Sequence, residues 1–232
     1  MKISNPKFTL ERVKAAFDYY AKKGVAPMNG ILRVETPLQA GKGRYDFNLK
    51  KDQSLLTPAE RSMDQWDIFI VTHLFLGLRV DADAKPGFAP LLTYPFVGSA
   101  SITNIEGFKT ADIAALYNGT LSIMTNNVEN MANFPLSRFL HVPETQPDAN
   151  SVTLPQIDMS DVMVQTPEQI VFAGTTKHKI EIEFPYTAAS DFAPLAVSGY
   201  TSKLVFEAYG YNIKGGASEE FKEAANPLNG RF

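Results

Sequence analysis

The residue types that carry chemistry are few in this chain and lie far apart. His73, His141 and His178 are its three imidazoles. A hydrolytic zinc site uses two or three close ligands, commonly a pair at helical spacing. Here dozens of residues separate the histidines, and no HExxH pair exists. His178 falls on the apolar side of an alternating stretch, where a histidine satisfied by core or edge hydrogen bonds is the simplest reading. In "DADAKPG", residues 81–87, Asp81 and Asp83 alternate as in a calcium loop. Lys85 then occupies the fifth position, Pro86 the place of the turning glycine and Leu92 that of the closing acid, so an acidic turn is the better account. Glu181 and Glu183 share one strand face, which brings two carboxylates together. Lys177 and Lys179 flank them, however, and mark an exposed charged face instead of a glycosidase pair.

Other reaction classes find no support in the pattern. Cysteine is absent, which excludes disulfides, thiolate metal sites and a thiol nucleophile. There is no GxSxG elbow, no GxxxxGK[ST] phosphate loop and no GxGxxG fingerprint, and "AGKG" at 40–43 is too short to cradle a phosphate. Neither enzyme chemistry nor a cofactor is expected. A formal charge of -3 and a pI near 5.7 give no basic footprint for a phosphate backbone, so no specific nucleic-acid partner is expected either. Aromatic content is the suggestive part of the composition, with 16 Phe, 9 Tyr and one Trp. Trp66, Tyr94, Tyr209 and Tyr211 offer faces on which a sugar ring stacks.

These side chains must be held by a β-rich scaffold. The 232 residues, 44% hydrophobic and 20% charged, suit one large folded domain. The opening segment reads as an amphipathic helix capped by Asn5 or Thr9, with Pro6 in its first turn, Lys22 and Lys23 near its end and Gly24 as a stop. Leu10, Val13, Phe17 and Tyr20 form its apolar stripe, which serves either the chain's own core or a neighbouring molecule. Strands are expected at 30–36, 44–50, 66–80, 92–98, 119–125, 138–143, 162–173, 177–185 and 201–213. "KHKIEIEF" alternates, with His178, Ile180, Ile182 and Phe184 to one side. Ile68 to Leu78 is almost continuously apolar, as in a central strand covered on both faces, with Gly77 marking a bulge or bend. Asn118-Gly119 reads as a tight turn. The triplet Asn118-Gly119-Thr120 would accept a glycan only in a secretory pathway, to which no apolar signal core directs the chain. No apolar run is long enough to span a bilayer.

The segment "LYNGTLSIMTNNVENMANFPLSRFLHVPETQ" sets Met131, Phe134, Arg138 and Phe139 in an amide-rich stretch whose apolar groups need burial at home or on a partner. Together with short strands, long Pro-rich crossovers and the helical arm, it resembles the jelly-roll virion proteins of bacterial viruses. The resemblance implies a single jelly-roll-like antiparallel β-sandwich, all-β apart from its N-terminal amphipathic helix. Residues 1–28 would form the helix or arm, 29–216 the sandwich and 217–232 a C-terminal tail. It also implies a structural role: a major, minor or auxiliary capsid component, made in the host cytoplasm, that associates with copies of itself and other virion proteins. Leu10, Val13, Phe17, Tyr20, Met131, Phe134, Arg138 and Phe139 are its candidate contact residues. A carbohydrate-binding β-sandwich is the alternative, and only there would a glycan be the ligand.

Overall fold

A computed structural model describes residues 6–39, 41–49, 60–84, 87, 91, 117–141, 162–184 and 199–228. Among the described residues the helix α1 (Pro6–Lys22) precedes eight strands: β1 (Met28–Pro37), β2 (Arg44–Phe47), β3 (Ile68–Ala82), β4 (Thr120–Thr125), β5 (Val128–Pro135), β6 (Val164–Ala173), β7 (His178–Glu183) and β8 (Tyr200–Ile213). They make two four-stranded antiparallel sheets, sheet A in the order β1-β8-β3-β6 and sheet B in the order β2-β7-β4-β5. First pairs with eighth, second with seventh, third with sixth and fourth with fifth. This is the connectivity of an eight-stranded jelly roll, and the expected β-sandwich with an N-terminal helix is what the chain forms.

The core follows from strand alternation. In β7, Ile180 and Ile182 are buried while Lys179 and Glu183 are exposed. They meet Leu121 and Ile123 of β4, then Leu32, Val34, Leu74, Leu76, Leu204 and Phe206 from sheet A across the sandwich. Each fully buried aliphatic or aromatic side chain contributes about 1.5–3 kcal/mol of transfer free energy. β3 is an interior strand of sheet A, flanked by β8 and β6, and its apolar run is buried on both faces. The irregularity within it falls between Val71 and His73, at Thr72; Gly77 pairs in ordinary register with Val205. A bulge there shifts the inward set from odd positions (Phe69, Val71) to even ones (Leu74, Leu76, Leu78), which explains why no clean period shows in the sequence.

One expectation between residues 117 and 143 is corrected, and the expected turn at Asn118-Gly119 is present. Residues 138–141, the described part of the strand expected at 138–143, are not a strand: Leu136–Phe139 is a 3-10 turn, and Leu140 and His141 have no regular structure. The strand lies earlier, at Val128–Pro135, and forms a hairpin with β4. Its tight turn is Asn126-Asn127, with φ of 49° and 62°, the left-handed pair that a two-residue hairpin needs. Asn118-Gly119 lies in a different, non-hairpin turn. Gly119 is required there for close approach, since a Cβ would lie 2.7 Å from the Glu183 carbonyl oxygen. The expected strand at 92–98 lies outside the described residues.

α1 ends at Gly24, whose φ of 82° suits only glycine without strain. Its buried Val13, Ala16 and Tyr20 cover Ile68, Ile70, Val171, Ala173 and Ile213 on the outer face of sheet A, joined by Ala217, Phe221 and Leu228 from the residues after β8. Phe17 packs edge-on to Tyr211 at 4.6 Å. The Tyr20 hydroxyl donates to the Gly216 carbonyl at 3.3 Å and accepts from Asn226 Nδ2 at 2.9 Å. Helix and C-terminal residues are therefore one second core.

Gly210→Ala should destabilise the fold by about 2–4 kcal/mol in chemical denaturation, because a Cβ there would lie 1.9 Å from the Ile70 carbonyl oxygen. Gly24→Ala, with open space around it, should cost only about 1 kcal/mol for the left-handed backbone. Burial raises the Tyr20 hydroxyl to about 12, against the opposing hydrogen bond from Asn226. The unfolded tyrosine ionises first, at about 10. This group's stability contribution is thus whole below pH ~10 and is lost as the pH rises towards 12. Stability titrated against alkaline pH should decline less steeply over that window in Tyr20→Phe.

Candidate functional site

The outer face of sheet A divides into two zones. One is the apolar area under α1. In the other, strands β1, β8 and β3 align three cations, Arg33, Arg79 and Lys203, with three anions, Glu35, Asp81 and Glu207. Arg79 is 1% exposed and lies at the centre, with Nη2 2.5 Å from Glu35 Oε2 and Nε 2.9 Å from Asp81 Oδ2. Lys203 Nζ stands 3.5 Å from Asp81 and 3.8 Å from Glu35. Arg33 bridges Glu35 and Glu207, each at 3.0 Å. Tyr209 donates to Glu207 at 2.5 Å, and burial together with that carboxylate pushes its hydroxyl up. The charges cancel and hydrogen-bond one another, so the set holds β1, β8 and β3 in register.

A signal for this network exists in the sequence. Arg33-Val34-Glu35 and Arg79-Val80-Asp81 repeat one pattern, an inward valine between outward opposite charges. Sequence reasoning missed it because charge pairs two apart on a strand ordinarily mark a solvated face. The exposed ladder on sheet B is of that ordinary kind, with Glu181 3.1 Å from Arg44 and 2.7 Å from Lys179.

Beside the network a shallow groove of about 390 Å³ runs over Asn29, Gly30, Ile31, Thr72, Tyr209, Gly210 and Tyr211. The Thr72 hydroxyl donates to the Tyr209 carbonyl at 3.1 Å, so its oxygen accepts from His73 Nδ1 at 3.0 Å. That places a proton on His73 Nδ1. Ile31, 48% exposed, lines the groove's β1 side.

The remaining candidates are distributed. His73 is on sheet A, whereas His178 is on sheet B with its Nε2 2.7 Å from the Ala173 carbonyl and its ring edge-on to Phe172. Among the described residues no three His, Asp or Glu side chains converge as metal ligands. No helix among them is long and apolar enough to cross a membrane. Val13 and Tyr20 are buried under the chain's own sheet, Phe17 half-buried beside them, and Leu10 lies within α1. Met131 and Phe139 are buried in the central core, Phe134 packs on it 5.9 Å from the Phe139 ring, and Arg138 is exposed. Among the described residues of this segment, the large exposed apolar groups are Val128 at the hairpin tip and Leu140. Trp66 is 47% exposed, Tyr209 and Tyr211 line the groove, and Tyr94 lies outside the described residues.

Arg79→Met should cost about 3–5 kcal/mol, because it removes from the buried Glu35 and Asp81 the guanidinium that hydrogen-bonds both. Arg44→Met, removing an exposed partner on sheet B, should cost less than about 1 kcal/mol. Equilibrium urea unfolding separates the two. Comparison with protein-family models, with curated proteins and with solved structures returns no match.

Proposed function

We propose that this chain is a structural virion protein that self-associates in a capsid shell, as a major, minor or auxiliary component. The observation that carries the reading is the strand order β1-β8-β3-β6 over β2-β7-β4-β5, the jelly-roll connectivity that capsid domains share with lectins and cupins. The link from fold to role is analogy at the level of the fold. Two features of the chain support it. Both faces of sheet A are engaged, by the central core within and by α1 and the buried ion network outside, which suits a subunit that bears load from neighbours. The candidate contacts that remain accessible, such as Arg138, lie on turns at the margins of the sandwich.

A carbohydrate-binding role is the second reading, favoured by the groove that Tyr209 and Tyr211 line with the Asn29 amide and by the half-exposed Trp66. Light scattering and electron microscopy over a concentration series test the first reading. Concentration-dependent oligomers or shells are expected, whereas a monomer at every concentration, alone and with virion partners, would overturn it. A glycan array separates the second, which requires a bound sugar that Trp66→Ala or Tyr211→Ala releases.

A further inference from the structure

A sandwich of two four-stranded sheets has four edges, and three of them carry devices that repel a further strand. β5 is bulged twice against β4, opposite Ser122 and between Ile123 and Met124, and Asn133 within it has a φ of 47°. β6 contains Pro167 inside the irregular stretch that faces Thr72. β2 is four residues long and alternates charged Arg44 and Asp46 outward.

The fourth edge, β1, is protected along only part of its length. Arg33 exchanges both backbone hydrogen bonds with Arg61, at 2.9 Å each, and the Glu35 N–H donates to Glu60 Oε1 at 3.1 Å. Pro37 ends the strand. Because Arg33 and Glu35 point N–H and C=O away from β8, the two-residue period points those of Asn29 and Ile31 the same way. Among the described residues nothing pairs with them. The open stretch, Met28 to Ile31, has no charge and no proline, and two of its side chains are half exposed.

We propose that this open stretch is where a second copy of the chain pairs, β1 antiparallel to β1 about a two-fold axis through Gly30; the proposal rests on the self-association reading above. In that register Asn29 faces Ile31 of the other copy and Ile31 its Asn29, two hydrogen-bonded pairs whose N–H and C=O groups are the unpaired ones. Charge is compatible: residues 28–31 are neutral in both copies, and the nearest cation, Arg33, is already neutralised by Glu35 and Glu207. Gly30 puts no side chain at the axis, since a Cβ there would point at Phe69 Cε2, 3.2 Å away. Ile31 of each copy then covers the border of the other's groove, and the two A sheets become one eight-stranded sheet.

The chain's lack of cysteine makes the register testable. Asn29→Cys and Ile31→Cys are prepared separately, each at an exposed position, with circular dichroism to confirm the fold. Facing positions in a hydrogen-bonded pair have Cα atoms about 5.5 Å apart, within disulfide reach, whereas Asn29 and its own symmetry mate would be about 8 Å apart. Mild oxidation of the mixed variants should give at least tenfold more covalent dimer than oxidation of either alone. Equal yields, or no dimer in the mixture while the unmodified chain still associates, would overturn the β1 pairing and leave self-association standing. Failure of the unmodified chain to associate would overturn both. Hydrogen-exchange protection of the Asn29 and Ile31 amides only on adding a different virion protein would assign the edge to that partner and overturn the second-copy assignment.

Discussion

Strands β3 and β8 run antiparallel from Ile68 opposite Ile213 to Ala82 opposite Tyr200, and most other features of the molecule are arranged around that pairing. It is the centre of sheet A, with β6 beyond β3 and β1 beyond β8. Its inner face supplies nine of the 26 buried residues of the central core. Its outer face supplies the floor for α1 at one end and the axis of the ion network at the other, where Arg79 stands opposite Lys203. Two adjacent cations are tolerated there because Glu35 and Asp81 lie between them.

The two halves of that outer face solve one problem differently. A buried sheet face must be apolar, or polar and fully paired. Under α1 it is apolar, and helix and C-terminal residues cover it by shape. Over Arg33, Glu35, Arg79, Asp81, Lys203 and Glu207 it is ionic, each group with an opposite partner. Ionic pairing is directional, so it specifies register where apolar packing alone would tolerate a slip.

How much of this could be read from residues alone depended on whether the pattern kept its period. β7 was legible because Ile180 and Ile182 alternate with charged residues without interruption. β3 was legible as a buried strand from its apolar run, although the bulge at Thr72 hid which residues face inward. β5 was not legible. Its apolar residues Val128, Met131 and Phe134 fall three apart, a spacing foreign to a strand, because two bulges each insert a residue. The Asn126-Asn127 turn lacks the glycine that usually announces a hairpin, while Asn118-Gly119 has one and makes no hairpin. Of the ion network, the individual charges were visible and their burial was not, since burial is decided by what covers the strand.

The pairing of β1 with β8 has a further meaning for how the chain reaches this state. Among the described strands, β1, the first in order, finds its ladder partner in β8, the last in order. Until residues 200–213 emerge, β1 has only its bridge to Arg61, and the floor beneath α1 lacks Tyr211 and Ile213. By contrast β4 and β5 need only the two-residue turn between them and close quickly. Sheet B can begin locally; in sheet A β3 can pair with β6 first, and its other side closes only when β8 is available. Arg79 and Asp81 place charges at the end of the apolar β3, the arrangement that disfavours aggregation of a sticky strand, and in the folded chain the same two groups are its internal latch.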